Sequence, residues 1–278
     1  MSKKHLKKFL GFGIAGNFAH HLEQAGEASD FVDVKVDDEN APKGVFPFYI
    51  PNNNSFLGTY PLSSNTIIHP RTEDGNLHME PEVALICEVS YHGDKVSDII
   101  PNFFTAYNDC SIRKEGAKKI SQKKNWGEET KGISPQILQI DKFEKGGVMD
   151  SFYIASFLKR DGELYPYGED SPVLTYNYFY GQLKNWIIQK LNTQEDEGPL
   201  KNLNQLIIEA NKPEGVVISI GATSYTQFGE NTFLEVGDEV FIYVYDSNLY
   251  RYEDIKSHAL NNPEDSLKNC SFLHQSIK

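Results

Sequence analysis

The chain has 278 residues, with 27 Lys+Arg against 39 Asp+Glu and a formal net charge of −12. Hydrophobic residues make up 39% and charged residues 24%, which excludes a disordered or collagen-like chain and leaves core for one large domain or two modest ones. The acid excess argues against a nucleic-acid surface, which needs a basic stripe to neutralise phosphates, and against a polybasic membrane anchor.

The first residues, Met1-Ser-Lys-Lys-His-Leu-Lys-Lys, carry the charge of a signal peptide's leading region. The apolar stretch behind them is broken by glycine, lacks a small-x-small cleavage site and runs into His20 and His21. No apolar run approaches the roughly 20 residues that span a bilayer. Three cysteines, Cys87, Cys110 and Cys270, are odd in number and lack metal-ligand spacing. The expectation is a reduced, cytoplasmic protein.

Gly11-Phe-Gly13-Ile-Ala-Gly16 fits the G-x-G-x-x-G dinucleotide pattern, with Asp30 and Asp33 downstream. A nucleotide site there would need a tight turn, close backbone approach to a pyrophosphate and a following helix N-terminus. The lysine-rich lead-in is short, and the segment after Asp33 is broken by Pro42, Pro47, Pro51 and Pro61 where a second strand is needed. Glycines that ease a strand-to-helix turn are the simpler reading.

A helix is expected to begin near Asn17 and to carry His20 and His21. Residues 51–55, with three consecutive Asn, read as a turn. Residues 83–89, 216–220 and 239–245 are short β-branched and aromatic runs bounded by Gly, Pro or acids, and read as strands. Phe179, Leu183, Trp186, Ile187 and Leu191 recur at three- and four-residue spacings and predict a helix over 178–191. An acidic loop at 194–198 and a second helix at 203–211 follow. The last 28 residues, from Arg251, carry no chemical motif and are expected to form a helix or tail. Strands do not alternate with helices, which argues against a doubly wound sheet.

The most informative segment is His78-Met-Glu80-Pro-Glu82-Val-Ala-Leu-Ile-Cys-Glu88. In an extended run Glu80 and Glu82 share a face, because strand side chains alternate with period two. Pro81 points the other way and marks a sheet edge or strand start. Side-by-side carboxylates repel unless one takes a proton or a cation sits between them. All-oxygen ligation selects a hard divalent ion, Mg²⁺ or Mn²⁺ with Ca²⁺ also allowed, over zinc. Taken alone, a Glu-x-Glu pair is more often a solvated strand face.

Met79-Glu-Pro-Glu-Val-Ala-Leu-Ile86 is followed by Ala106-Tyr-Asn-Asp109-Cys-Ser-Ile-Arg113, then by Trp126, Lys131 and Pro135. Upstream lies Gly16-Asn-Phe-Ala-His-His21; downstream lie Ile218-Ser-Ile-Gly-Ala-Thr223 and Phe233-Leu-Glu-Val-Gly-Asp-Glu-Val240. In this order the pieces resemble the fumarylacetoacetate hydrolase superfamily. The resemblance implies that Glu80, Glu82 and Asp109 bind the divalent metal and that Lys131 and Thr223 face the substrate. It further implies a histidine–glutamate pair, for which His20, His21 and Glu23 are the candidates, and a homodimer.

Several positions depart from that pattern. The histidine matching the family's spacing from Asn17 is His21, and three residues on stands Gln24, which cannot act as a base; His20 and Glu23 have the right spacing one position out of register. Phe48-Tyr-Ile50-Pro51 lacks the family's lysine, Arg113 is followed by Lys114 rather than Asp, the stretch from Lys131 to Pro135 is short, and the threonine at 223 falls one position late. His78 shares strand parity with the glutamates and is expected to support the site rather than to ligate, and Cys110 is expected to be buried rather than nucleophilic.

The resulting expectation is an α+β, β-rich protein with a mixed β-sandwich roll of the fumarylacetoacetate hydrolase type. Residues 1–75 would form a small region carrying the histidine helix, and residues 76–278 the catalytic roll. Its function would be metal-dependent chemistry on a small keto acid: C–C bond hydrolysis, decarboxylation or isomerisation through an enolate. The alternatives are a metal- or ligand-binding member with little turnover, and a nucleotide-binding oxidoreductase built on segment 11–16.

Overall fold

The computed structural model describes residues 2–278 except 19–20, 32, 33, 35, 37, 39, 71–74, 115–116, 262 and 264, and only the backbone of Asp30. In chain order the strands are β1 Leu10–Ala15, β2 Gly44–Tyr49, β3 Leu62–Ser63, β4 Thr66–Ile67 and β5 Leu77–His78. Then come β6 Pro81–His92, β7 Lys95–Asn108, β8 Ser111–Ile112, β9 Lys131–Ile133 and β10 Leu138–Gln139. The remaining strands are β11 Phe152–Arg160, β12 Glu163–Pro172, β13 Gly215–Ser219, β14 Glu239–Asp246 and β15 Cys270–Ile277.

Among the described residues the main sheet runs β2-β1-β13-β6-β7-β9-β3, with β10 also on β7; a second runs β12-β11-β14-β15-β4, and β5 pairs with β8. Residues 1–75 therefore contribute strands to both large sheets. The fold is the expected strand-rich α+β one.

The long β6–β7 hairpin is the spine. Gly93, with φ +62°, and Asp94 form its two-residue turn, and His92 pairs with Lys95 across it. Pro81 opens β6, where a missing N–H costs no ladder bond. Alternation along β6 sends Val83, Leu85 and Cys87 to one core and Ala84 and Ile86 to another. The second sheet packs on the first of these cores, with Phe104 of β7 meeting Phe152 of β11 edge-on at 4.9 Å.

Helix Tyr180–Thr193 buries Leu183, Trp186, Ile187 and Leu191, the residues its spacing picked out. The C-terminal residues are structural rather than a tail. Helix Tyr252–Asn261 buries Ile255, His258 and Ala259, and β15 lies inside the second sheet between β14 and β4.

The glycine segment is not a phosphate loop. Gly11 and Gly13 lie inside β1, fully paired between β2 and β13, rather than in a turn. A Cβ on Gly11 would sit 2.3 Å from the Phe48 ring, and one on Gly13 2.3 Å from the Phe46 ring. These glycines make room for two phenylalanines, and the nucleotide reading loses its mechanism.

Candidate metal and acid–base site

The acids sit where the open ends of β6 and β7 meet. Glu80 and Glu82 are 3% and 2% exposed and share the parity of Ala84 and Ile86. The β6–β7 register pairs Glu82 with Tyr107 and Pro81 with Asn108. One step further out Glu80 meets Asp109, whose N–H donates to the Glu80 carbonyl at 2.9 Å. On the other side β9 pairs Gly132 with Asn108, which brings Lys131 beside Asp109. One carboxylate oxygen from each of Glu80, Glu82 and Asp109 lies within 4.8 Å of the other two. Two strands and their register thus gather residues 29 positions apart into one buried triad.

Backbone scaffolding fixes these ends. The Asn108 Oδ1 accepts from the N–H groups of Glu80, at 3.2 Å, and Cys110, at 3.1 Å. Its Nδ2 donates to Gln275 Oε1 at 3.1 Å, and Gln275 donates in turn to the carbonyls of Ser63 and Thr66. The C-terminal strand therefore braces the triad from behind. The turn after β13 covers Glu82: Gly221, with φ +116°, donates its N–H to Glu82 Oε2 at 2.9 Å.

His21 begins the short helix His21–Gln24 and is buried. Its Nδ1 lies 2.9 Å from the Thr223 carbonyl. A carbonyl only accepts, so Nδ1 carries the proton and Nε2 of the neutral ring is the acceptor. Burial pushes the imidazole's pKa down to about 4, against the opposing pull of Glu80. The ring lines a cavity of about 10 Å³ with Glu80, Glu82, Asp109, Glu27 and Lys124. That volume is at the lower limit for a single water.

The cations are unevenly placed. Lys124, at the end of helix Ser121–Lys124, donates to Glu80 Oε2 at 2.5 Å and lies 2.7 Å from Asp109 Oδ2. Lys131, fully buried, reaches Asp109 Oδ1 at 2.6 Å and the carbonyls of Asp109 and Cys110. Arg113 bridges two acids, with Glu27 Oε1 at 2.7 Å and Glu80 Oε1 at 2.8 Å, and its Nε donates to His78 Nδ1 at 3.2 Å.

Burial works to raise the Glu80 pKa, but Lys124 and Arg113 outweigh it and hold the carboxyl well below the usual range. Burial raises Glu82 as well, and there the neighbouring Asp109 and Glu80 carboxylates add to it, so the Glu82 carboxyl is pushed well above the usual range. Lys124 keeps its proton firmly: burial opposes the charge, and the Asp109 and Glu80 carboxylates overcome it.

Of the residues singled out from the sequence, Glu80, Glu82, Asp109 and His21 line one cavity. Lys131 stands behind Asp109 and grips it, and Thr223 contributes its backbone carbonyl to His21. Glu23 is exposed, and the carboxylate of that segment facing the cavity is Glu27. His20 lies outside the described residues. His78 is buried against Arg113, and Cys110 is fully buried.

Sequence reasoning did not single out Glu27 or Lys124, nor give Arg113 a role of its own. Arg113 had a signal, since it closes the segment that carries Asp109. Lys124 had none, being one of five lysines between 114 and 124.

The donor set fits a hard divalent cation: three buried carboxylates, converging oxygens and no sulfur. The architecture and the placement of this triad define a protein with the fold of the fumarylacetoacetate hydrolase-type enzymes. Cg1458, solved with an inhibitor, superposes with a TM-score of 0.53 at 17% identity, over 96% of this chain and 76% of its own. A 2-keto-3-deoxyarabinonate dehydratase gives 0.52 at 14%, over 97% and 73%. The fumarylacetoacetate hydrolase of Exiguobacterium antarcticum gives 0.51 at 12%, over 97% and 75%. Within that fold the chain belongs to DUF5718, a family of unknown function whose sequence profile matches residues 27–277. None of the curated proteins compared matches the sequence.

Proposed function

We propose that this protein is a divalent-metal-dependent enzyme of the fumarylacetoacetate hydrolase superfamily acting on a small keto acid. The observation that carries the reading is the triad Glu80, Glu82 and Asp109, buried with converging oxygens at a cavity that also holds a neutral histidine. Mg²⁺ or Mn²⁺ suits the all-carboxylate donors, and Ca²⁺ is compatible with them. Bound there, the cation would act as a Lewis acid on the oxygens of an α-keto acid.

The chain's own residues supply the rest. His21, neutral at working pH and oriented by the Thr223 carbonyl, takes or returns a proton at Nε2. Lys131 fixes the Asp109 carboxylate, and Arg113 fixes Glu80 and Glu27. A cavity of about 10 Å³ is too small for a keto acid, so substrate enters by widening it and displacing water, which strengthens every charge interaction inside. The reaction is C–C bond hydrolysis, decarboxylation or isomerisation, steps that share charge development beside a carbonyl. The names of two fold neighbours, a keto-acid dehydratase and a fumarylacetoacetate hydrolase, are in keeping with this class. The working unit is a homodimer, a proposal resting on the resemblance alone.

A second reading is a cation- and ligand-binding protein without turnover. What favours it is the partner of His21, a backbone carbonyl rather than a carboxylate. Metal content of purified Glu82→Ala tests the site: the variant is expected to lose the cation, and unchanged content would overturn the assignment. Assays of acylpyruvates and oxaloacetate with Mg²⁺ or Mn²⁺ separate enzyme from binder, and activity lost in His21→Gln rejects the binder.

A further inference from the structure

Lys124 lies where the triad would grip a cation. Its side chain is 3% exposed, as is that of Glu80, while that of Asp109 is fully buried, so the Lys124 contacts to both carboxylates are made away from water. The ammonium also lies 5.3 Å from the centre of the Phe46 ring, a second favourable surface for a positive charge. Both acids thus spend oxygens on one lysine while still lining the cavity with Glu82.

Charge counting gives this contact a consequence. Four acids (Glu27, Glu80, Glu82 and Asp109) gather with four bases, Arg113, Lys131, Lys124 and Lys123, the last 3.7 Å from Glu27. All of these side chains are buried or nearly so. A dication added to this set would leave uncompensated positive charge in a place that water reaches poorly, an arrangement that costs several kcal/mol per ion. Electrostatics and oxygen count point the same way.

We propose that Lys124 is a tethered competitor for the divalent cation: its ammonium and the metal exclude one another on Glu80 and Asp109, and metal binds only as Lys124 withdraws. The inference rests on the reading of Glu80, Glu82 and Asp109 as metal ligands. Lysine is suited to the task. It is a compact charge on a flexible four-carbon stem, able to leave one carboxylate pair without moving the helix that carries it. Lys131 is the contrast, since its ammonium is also tied to two backbone carbonyls and stays in place. Lys124 thereby makes metal occupancy responsive to free metal concentration and keeps the acids apart from bulk ions when metal is scarce.

The test is Mn²⁺ affinity of the full-length protein, measured by calorimetric titration and by the electron paramagnetic resonance of free Mn²⁺. Lys124→Met is expected to bind Mn²⁺ about 10–100-fold more tightly than the wild type, the scale on which groups touching metal ligands alter affinity. Lys124→Gln, which keeps amide donors for Glu80 and Asp109, is expected to shift in the same direction and provides the measurement if Lys124→Met does not fold. Lys123→Met removes a neighbouring charge from the same helix and is expected to change affinity by less than half as much on a logarithmic scale. Equal affinity in wild type and both Lys124 variants would overturn this inference and leave the metal site standing. No Mn²⁺ binding in any of them would overturn both, and a gain in Lys123→Met as large as in Lys124→Met would reduce the effect to bulk charge and overturn the competition.

Discussion

The two sides of the carboxylate cluster differ more than their sequence spacing suggests. On one side Glu80 and Asp109 are held by Lys124, Lys131 and Arg113 at 2.5–2.8 Å. On the other, Glu82 receives one backbone N–H from Gly221 and faces two like charges. The first side is an assembled ion network, stable with its own cations. The second is a carboxyl that burial and two neighbouring carboxylates push towards its neutral form. The contrast teaches that neighbouring carboxylates at one hairpin end can be held by opposite influences, cations for Glu80 and Asp109 and like charges for Glu82.

The largest expected effect is on chemistry. His21→Gln should lower turnover about 10²–10⁴-fold, the usual worth of a positioned general base, with Mn²⁺ content unchanged. Loss of metal in that variant would instead make His21 part of the cation-holding side. Next comes the ion network. Arg113→Met leaves Glu27 and Glu80 buried without their guanidinium, and breaking a buried pair in this way costs about 3–5 kcal/mol. Urea unfolding checks it, and a near-wild-type midpoint would break the comparison.

Glu82→Gln should act in the opposite direction on the metal-free protein, stabilising it by about 1–3 kcal/mol at neutral pH by replacing a carboxyl whose charged form burial and two neighbouring carboxylates disfavour. The sign in pH follows from the raised pKa of Glu82. Above about pH 4.3 the unfolded chain has released this proton while the folded chain retains it. The folded state then binds more protons, so this group's contribution to stability declines as pH rises from there. Glu80, held low by Lys124 and Arg113 against burial, has the reverse sign: its contribution is present above the unfolded pKa and lost as pH falls through the folded one. Thermal melts of wild type and Glu82→Gln from pH 4 to 8, without metal, should therefore diverge as pH rises. Parallel curves would remove the distinction between the two sides. The smallest effect is expected for Gln275→Ala, about 1–2 kcal/mol for the lost bonds to Asn108, Ser63 and Thr66, read as a modest fall in melting temperature.

Much of this was legible in the chain. Strands 83–89, 216–220 and 239–245 and the helix with Leu183, Trp186 and Leu191 are local patterns, set by alternation and by 3.6-residue periodicity, and each overlaps an observed element, with Ile220 one residue past β13 and the helix beginning at Tyr180 rather than 178. Glu80, Glu82 and Asp109 were legible through motif order, and strand register then brings them together. The glycine segment shows the limit of a motif: it has the letters of a phosphate loop, but Phe46 and Phe48 of β2 occupy the space its glycines leave. Glu27, Lys124 and the strand Cys270–Ile277 carried no local signal, because their importance comes from partners far away in sequence, Arg113, Asp109 and Asn108 among them.

The sequence by itself determined a β-rich core and an acidic surface balance, which follow from composition and short-range spacing, while the three carboxylates of the triad were legible through their resemblance to a known family's motif order. Tertiary structure decided the company of each carboxylate. That decision depends on which ammonium, guanidinium or N–H the fold brings within about 3 Å in a dry interior, where hydrogen bonds form at that range and Coulomb energies are large.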